Sequence, residues 1–272
     1  MIKFTLSMCV YAKENPRYLE ACLLSIGKLK ILPDEVVIVK DGPLTDELDD
    51  AIRDFRYRGD LKIIALPENV TSGPARAAGV DAASHEWIAI VDSDDICKPD
   101  RFGKQLEMIR NNPALGLIGG QISEFSNNPG HTISTRAVPC AHEDILRFAK
   151  IRNPFNQMTV MFKREAALAA GNYRFFPWFE DYDLWTRMIS NGTICANHPD
   201  ILVDARIGSG MYERRRGAGY ISSEWRMQKQ LKELGFTNGI EFMRNTAMRI
   251  PVRLLPNKLL AGVYGKIVRR KV

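Results

Sequence analysis

The chain has 272 residues, 45% of them hydrophobic, which is enough for one large globular domain or for one domain with an extension. Its formal charge is +6, but residues 244–272 contain eight Lys or Arg and no acid, so residues 1–243 carry a net −2. This distribution argues against nucleic acid as a partner of the body, and no apolar run reaches the roughly 18 residues of a membrane span.

The first 125 residues alternate strand and helix patterns. Apolar, largely β-branched runs predict five strands, over residues 2–10, 35–39, 61–66, 87–91 and 115–122. Helical spacing predicts helices over residues 16–29, 45–55 and 100–110, and a run of small residues predicts another over 73–83. Strands separated by helices of about ten residues indicate a parallel sheet, in which ligands bind at the carboxyl ends of the strands. We therefore expect Tyr11, Asp41 and residues 92–95 to lie on one edge of the sheet.

The remainder of the chain is less regular. Residues 127–153 are predicted to form a loop or hairpin that leads into a helix over 142–150. Short strands are predicted over 158–162 and 201–203, and helices over 164–170, 178–190 and 221–234. The pattern predicts an α/β fold with a mostly parallel sheet flanked by helices.

The junction after the fourth strand is the strongest chemical signal. The buried run of residues 87–91 leads directly into Asp92, Ser93, Asp94 and Asp95. Unpaired charges are too costly inside a packed strand, so the acids must lie where the strand emerges. Hard oxygen ligands there suit Mg²⁺ or Mn²⁺, which often bridges to substrate phosphates. The alternative is an Asp-rich turn before a helix, where acids are favourable in any case.

Two weaker signals lie on the same edge of the sheet. Asp41 follows the second strand, where a carboxylate either accepts a hydrogen bond from a nucleobase imide or shapes the turn with Gly42. Residues 73–79 are small, which permits close packing of a helix on the sheet. Arg76 on that helix could reach a phosphate or an aspartate of the edge, or be a solvated charge.

A second acidic cluster lies among aromatic residues. Glu180, Asp181 and Asp183 alternate with Trp178, Phe179, Tyr182 and Trp185 at a predicted helix entry. Acids in a first helical turn have a dipole explanation. Aromatic faces also bind sugar rings, and their desolvation can raise the pKa of a neighbouring carboxylate toward that of a general base. Residues 214–216, three arginines before a glycine-rich stretch, either close over a diphosphate or form a solvated charge run.

These segments together resemble glycosyltransferase family 2, inverting enzymes with a GT-A fold. The resemblance covers about residues 1–210, through residues 4–11, 36–42, 69–79, 88–95 and 180–192. Residues 153–160 and 179–185 also resemble bacterial enzymes of amylovoran, capsule and O-antigen assembly, which transfer a hexose from a UDP-sugar to a lipid-linked acceptor. Two departures lie beside the base pocket: Lys40 stands where the family often has aspartate, and Pro43 where it usually has serine.

The resemblance implies a role for each residue of the nucleotide-sugar site. Tyr11 matches the aromatic residue near the uracil, Asp41 the acid that bonds its imide, and Arg76 an arginine of the nucleotide pocket. Asp92 matches the first acid of the DxD motif, which meets the ribose, and Ser93 lies beside it in the nucleotide-sugar site.

The resemblance also implies a metal ligand, a catalytic base and an acceptor region. Asp94 matches the acid that ligates a divalent metal, Mn²⁺ or Mg²⁺, on the diphosphate. Asp181 matches the catalytic base, with Glu180 beside it, and the aromatic residues assigned to the acceptor region are Trp178, Tyr182 and Trp185. The chain lacks the Gln-x-x-Arg-Trp motif of processive synthases, which favours transfer of a single hexose, and the resemblance favours β-1,3 transfer of galactose or glucose to a GlcNAc-type acceptor.

Three segments follow from these assignments. Residues 1–125 are the nucleotide-sugar half of a GT-A domain, residues 126–240 the acceptor and base half, and residues 241–272 a basic amphipathic helical tail. Such a tail suits an anionic membrane surface, although a helix packed on the body with a solvated face is the alternative. Five scattered cysteines without a C-x-x-C spacing, and an N-terminus without a signal peptide, predict a cytoplasmic protein on the inner face of the bacterial membrane.

Two other functions are compatible with parts of this pattern. A sugar-phosphate nucleotidyltransferase also couples a nucleotide-binding α/β sheet to a metal, but it needs a glycine-rich basic loop after the first strand, and residues 11–15 are not one. A non-catalytic, membrane-associated sugar-binding protein on a degenerate GT-A fold is the other. Presence of Asp41, Asp92, Asp94 and Asp181 together argues against it.

Overall fold

Alternating strands and helices build the first half of the molecule. A computed structural model describes residues 2–208 and 217–250 and the backbone of residues 270–271. The elements of the first half are β1 (Phe4–Tyr11), α1 (Pro16–Gly27), β2 (Glu35–Asp41), α2 (Asp46–Asp54), β3 (Asp60–Ala65), α3 (Ser72–Ala82), β4 (Trp87–Asp92), β5 (Ile96–Cys97), α4 (Arg101–Asn111) and β6 (Leu115–Phe125). The five predicted strands and four predicted helices of this half are all present.

The second half is richer in helix. Its elements are β7 (Ser134–Arg136), α5 (His142–Ala149), a 3₁₀ turn (Gln157–Thr159), β8 (Met161–Lys163), α6 (Arg164–Ala169), α7 (Glu180–Ser190), β9 (Ile194–Arg206), α8 (Ala218–Glu233), α9 (Gly239–Arg249) and β10 (Arg270–Lys271). The segment predicted as a strand over 158–162 divides into the 3₁₀ turn and the short β8.

The strands of the described residues form one mixed sheet in the order β10-β7-β6-β8-β4-β1-β2-β3, with β9 paired to β6 and to β5. β3, β2, β1 and β4 are mutually parallel, as the βα pattern predicts. β8 runs antiparallel between β4 and β6, so the fourth and fifth predicted strands are not neighbours. This insertion joins the two halves of the chain in a single sheet.

The central strand β4 is buried on both faces. Trp87, Ala89 and Val91 pack into one hydrophobic cluster with α1 and α4, whereas Ile88 and Ile90 pack into a second cluster with α7 and α8. Such two-sided burial, worth roughly 1.5–3 kcal/mol for each large apolar side chain, is what the uninterrupted apolar run predicted. The first polar residue of the strand, Asp92, stands where the packing ends.

β9 is longer than the sequence indicates. The predicted strand over 201–203 is only part of a 13-residue strand that pairs in parallel with β6. Its first half contains Asn197, His198 and Pro199, which are atypical of strands and conceal the pattern. The register shifts against β6 where these residues lie, and the partner strand rather than local propensity maintains the pairing.

The small residues of α3 bring that helix close to β1 and β2. A Cβ atom added at Gly79 would lie within clash distance of the Ser7 hydroxyl and at 3.3 Å from Val39 Cγ2. The predicted close packing of this helix is therefore confirmed. Within the described part of the chain, no helix combines the length and the apolar character needed to cross a bilayer.

We expect Gly79→Ala to lower the free energy of unfolding by about 1–3 kcal/mol, because the added methyl group forces α3 away from the sheet. Gly103→Ala in α4 is the matched control, since a Cβ there meets only Ile31 Cδ1, at 3.8 Å. The control should be neutral or should stabilise the protein by up to about 1 kcal/mol through helix propensity. Urea unfolding of both variants measures the difference, and equal stabilities would contradict close packing at Gly79.

Candidate active site

The carboxyl ends of β1, β2 and β4 bring the predicted polar residues together. β1 lies between its two parallel neighbours, with Tyr11 opposite Asp41 and Cys9 opposite Asp92. Tyr11 ends β1 with a ring that is 39% exposed. The predicted convergence of these positions on one edge of the sheet is confirmed.

Asp41 is buried and holds the loop between β3 and α3. Its Oδ1 accepts the backbone N–H of Val70 at 2.7 Å, and its Oδ2 accepts the side-chain amide of Asn69 at 2.9 Å. Gly42 follows with a φ of +85°, and a Cβ at this residue would lie 2.7 Å from the Asn69 nitrogen. Asp41 therefore shapes the turn, while a bond from its carboxylate to a nucleobase remains a prediction.

The acids after β4 lie close enough to perturb one another. Burial raises the pKa of Asp94 to about 7, and the negative charges of Asp92 and Glu14 add to this effect. Ser93 donates to Glu14 Oε2 at 2.6 Å, which draws Glu14 to the same edge. Glu14 was missed by the sequence analysis, although an acid directly after β1 belongs by topology to this edge of the sheet.

Asp95 has a structural role, and Arg206 at the end of β9 holds the acidic loop that follows β4. Asp95 Oδ1 accepts the backbone N–H of Arg206 at 2.7 Å, and Arg206 Nε donates to the Asp94 carbonyl at 3.1 Å. The Arg206 guanidinium lies 3.9 Å from the centre of the Tyr18 ring and 4.5 Å from that of Phe125. Burial raises the pKa of Asp95. Arg206 was not predicted as a site residue, because the last strand was predicted over residues 201–203 and extends to Arg206.

The donor set of this loop fits a divalent cation that a diphosphate completes. Among the residues that the structure describes, no three His, Cys, Asp or Glu side chains form a ready metal cage. Mg²⁺ does not require one, because it is commonly bound by one or two carboxylates together with phosphate oxygens and water. Asp92 and Asp94 are hard oxygen donors, and their mutual repulsion is the electrostatic condition that a bound cation would relieve.

Arg76 joins this loop to the second acidic cluster. Its Nη2 donates to Asp92 Oδ1 at 2.9 Å and its Nη1 to Glu180 Oε1 at 2.7 Å. Ser72 at the start of α3 donates to the same Glu180 oxygen at 2.6 Å. Arg76 thus reaches an aspartate of the edge, one of the predicted possibilities, and is not a solvated charge. The two clusters, about ninety residues apart in sequence, share one arginine.

Asp181 is a partly buried carboxylate with a raised pKa. Burial and the neighbouring Glu180 charge raise the pKa of Asp181 to about 6, while Arg76 and Arg136 act in the opposite direction. Its Oδ1 accepts the N–H of Tyr182 at 2.7 Å. A pKa just below neutral suits a general base, because the group is mostly ionised at pH 7 yet retains affinity for a proton.

The aromatic residues around this acid divide into core and surface. Tyr182 and Trp185 are fully buried, so the prediction that they bind an acceptor is corrected: Tyr182 donates to the Ala149 carbonyl, and Trp185 packs on Phe162 and Tyr173. Trp178 is 46% exposed and remains available. Its φ of +65° is unusual for a bulky residue, and this strained residue lies two positions before Glu180.

Buried ion pairs hold α7, the helix of the acidic pair, in place. Asp183 accepts hydrogen bonds from Arg174 and Arg187, and it is completely buried. It is therefore a structural acid and not a third catalytic group. The predicted basic loop over residues 214–216 lies outside the described residues.

Comparison with known sequences gives consistent matches over the whole chain. The model of the family described as "Glycosyl transferase family 2" matches residues 6–171. An uncharacterized glycosyltransferase of Haemophilus influenzae is 38% identical over 99% of this chain and 100% of that protein. The amylovoran biosynthesis glycosyltransferase AmsE of Erwinia amylovora is 36% identical over 97% of this chain and 98% of its own length. UDP-Gal:alpha-D-GlcNAc-diphosphoundecaprenol beta-1,3-galactosyltransferase of Escherichia coli is 34% identical over 98% of this chain and 97% of that protein.

Solved structures share the fold at low sequence identity. Residues 1–349 of Staphylococcus aureus TarS, in complex with UDP-GlcNAc, superpose with a TM-score of 0.68 at 16% identity, over 93% of this chain and 72% of that one. The mannosyltransferase PcManGT of Pyrobaculum calidifontis, in complex with GDP-Man and Mn²⁺, gives a TM-score of 0.66 at 15% identity. The match covers 97% of this chain and 75% of that one. These likenesses show a GT-A architecture.

Asp94→Asn should stabilise the metal-free protein at alkaline pH. The pKa of Asp94 lies above its ordinary value, so the folded state keeps a proton that the unfolded chain releases, and stability falls as pH rises from about 4 to about 7. At about pH 8 the variant should gain roughly 1–3 kcal/mol, and at about pH 4 the two proteins should unfold alike. Thermal unfolding of the variant and the wild type in EDTA, at both pH values, measures this difference in stability.

Asp200→Asn is the control for that experiment, because Lys104 lowers the pKa of this exposed acid. It should show no stabilisation at alkaline pH. A melting temperature of Asp94→Asn at or below that of the wild type at alkaline pH would show that the Asp94 carboxylate is not strained in the folded state.

Proposed function

The chain belongs to glycosyltransferase family 2 and is a transferase with a GT-A fold, and from this premise we propose that it moves one hexose from a UDP-sugar to a lipid-linked saccharide. The observation that carries the proposal is the hydrogen-bonded chain from Asp92 through Arg76 to Glu180, next to Asp181. It brings donor-type acids and a carboxylate with a base-like pKa to one place.

On the donor side, Tyr11 and Asp41 receive the uracil, and Asp92 with Ser93 receives the ribose. Asp94 would hold Mn²⁺ or Mg²⁺, and the bound ion would supply charge neutralisation for the departing UDP. The ion pair with Arg76 already orients the Asp92 carboxylate. Such pre-orientation reduces the reorganisation needed when the donor binds.

On the acceptor side, Asp181 removes the proton from an acceptor hydroxyl as that oxygen attacks the anomeric carbon. The new C–O bond forms on the face opposite UDP, the bond to the UDP oxygen breaks, and the proton stays on Asp181. A single displacement of this kind inverts the anomeric configuration, so an α-linked donor gives a β-linkage. The exposed ring of Trp178, two residues before Glu180, supports an assignment to the acceptor region.

The substrate assignment follows from the named relatives. The E. coli relative is named for transfer from UDP-Gal to a diphosphoundecaprenol-linked GlcNAc, and the Erwinia relative for amylovoran biosynthesis. We assign this chain to bacterial surface polysaccharide synthesis, with β-1,3 transfer of galactose or glucose as the favoured reaction. Family membership argues against the nucleotidyltransferase alternative, which would release pyrophosphate instead of UDP.

Asp181→Asn should reduce transfer by about 10²–10⁴-fold and leave UDP-sugar binding nearly unchanged, because the amide keeps the shape but cannot accept the proton. The assay measures Mn²⁺-dependent UDP release from UDP-Gal, UDP-Glc, UDP-GlcNAc and UDP-GalNAc with a synthetic GlcNAc-diphospholipid. Asp200→Asn is the control, because Asp200 is an exposed acid that pairs with Lys104 of α4. Near-wild-type turnover of the Asn variant would remove Asp181 from the role of base, and absence of UDP release from every donor would favour the non-catalytic alternative.

A membrane surface is proposed as the setting of this reaction. On α9, Ile240 is 81% exposed, Met243 66% and Met248 54%, and they share one side of the helix with exposed Arg244. The opposite side packs on the body through Asn245 and through Arg249, which pairs with the buried Glu224 at 2.5 Å. Arg249 is therefore a structural charge and not part of a solvated basic face.

The residues after α9 have the composition of a membrane anchor. Residues 251–271 contain six further Lys or Arg and no acid, but residues 251–269 and 272 lie outside the described residues. Each basic residue near an anionic surface contributes about 1 kcal/mol, and the apolar side of α9 adds burial. We assign the protein to the inner face of the cytoplasmic membrane on these grounds.

Cosedimentation with phosphatidylglycerol vesicles tests this location. We expect the full chain to sediment at low salt, Ile240→Ser with Met243→Ser to bind at least about tenfold more weakly, and deletion of residues 251–272 to release most of the protein. Leu24→Ser is the control, since Leu24 is 63% exposed on α1. Equal sedimentation of all four proteins, or binding that ignores lipid charge, would contradict the assignment.

A further inference from the structure

Asn153 contacts the carboxylate of Asp181 directly. Its side-chain Nδ2 donates to Asp181 Oδ2 at 2.6 Å, and its Oδ1 accepts the backbone N–H of Phe155 at 3.1 Å. The two contacts fix which end of the amide faces the acid, because a carboxylate accepts only and an N–H donates only. In the sequence, Asn153 begins the segment 153–160 of the family resemblance, and no role was predicted for it.

The bond from Asn153 determines how the carboxylate is presented. Asp181 Oδ1 accepts the N–H of Tyr182 and Oδ2 accepts the Asn153 amide, so each oxygen has one hydrogen bond from the protein. A carboxylate oxygen has two acceptor positions, which leaves one on each oxygen for a substrate hydroxyl. Two bonds on different oxygens also prevent rotation of the carboxyl plane.

Asn153 itself is held by the end of α5. The last carbonyls of that helix are bound from two other helices: Ala149 by Tyr182 of α7, and Lys150 and Ile151 by Asn245 and Arg249 of α9. The Asn245 bond measures 2.8 Å. Asn153 follows within two residues of the last of these contacts, in a connecting segment whose start is anchored by packed helices.

The charged groups around Asp181 oppose one another. Glu180 disfavours its ionised form, and Arg76 and Arg136 favour it. The buried phenols of Tyr173 and Tyr182 are neutral neighbours whose own pKa values are raised by burial. Against this background the N–H groups donated by Asn153 and Tyr182 favour the carboxylate without adding charge to a partly buried site.

We propose that Asn153 is a positioning residue for glycosyl transfer, which holds the Asp181 carboxylate toward the acceptor hydroxyl and keeps it ionised. The proposal rests on the proposed function, because it assumes that Asp181 is the base. It predicts that losing the Asn153 amide changes the pH at which the enzyme becomes active, beyond any change in maximal rate.

The test is the pH dependence of kcat at saturating donor, acceptor and Mn²⁺. Since the base acts in its ionised form, kcat rises with pH through the pKa of Asp181 in the complex. Asn153→Ala should move this rise upward by about one pH unit, because a hydrogen bond to an ionised group is lost. Asn153→Asp should move it further, since its carboxylate can still accept the Phe155 N–H but adds a like charge.

Asn156→Ala is the matched control, because Asn156 is a buried amide of the same segment that donates to the Gly120 carbonyl. It should leave the pH profile in place, whatever it does to the melting temperature. An unshifted profile in both Asn153 variants, at any amplitude, overturns the proposal. Activity of Asp181→Asn at the wild-type level would instead remove Asp181 from the role of base, and absence of UDP release from the wild type would overturn the proposed function, so these failures are distinguishable from that of the Asn153 proposal.

Discussion

The double ion pair of Arg76 is the interaction on which the site depends. One guanidinium contacts Asp92 at the end of β4 and Glu180 at the start of α7. These elements belong to different halves of the chain, and the sheet connects the two halves because β8 lies between β4 and β6. A partly buried cation between two acids also offsets the desolvation of both, which is the condition under which charges are tolerated away from water. The arginine can reach both because α3 packs closely on β1 and β2 through Gly79.

The same site concentrates carboxylates that are costly to ionise. Asp94 and Asp181 both have raised pKa values, the first mainly through burial beside Asp92 and Glu14, the second through burial beside Glu180. Carboxylates with raised pKa values lower the stability of the ligand-free fold at neutral pH. The same property gives the site its affinity for a cation and for a proton. Asp183, a structural acid of the same region, differs from these carboxylates because it is paired with two arginines.

The failures of sequence-based prediction in this chain have particular causes. Glu14, Arg206 and Asn153 act through partners 79, 112 and 28 residues away, which no local pattern indicates. Tyr182 and Trp185 were assigned to the acceptor region because they surround acids in sequence. The rotation of α7 about its own axis decides which of its side chains face the core, and it places Tyr182 and Trp185 there. The long first half of β9 is maintained by its pairing with β6, since its own residues are poor strand formers.

The amino-acid sequence by itself determined the alternation of strands and helices, the two-sided burial of β4 and the emergence of Asp92–Asp95 at its end. These features depend on local hydrophobic period and on the cost of burying unpaired charge, both of which a single stretch of residues expresses. Only the tertiary structure decided that β8 enters the sheet, that Arg76 serves two acids, and that Asn153 contacts Asp181. The physical reason is that contacts between distant segments depend on the packing of helices against the sheet, and packing is a property of the whole fold.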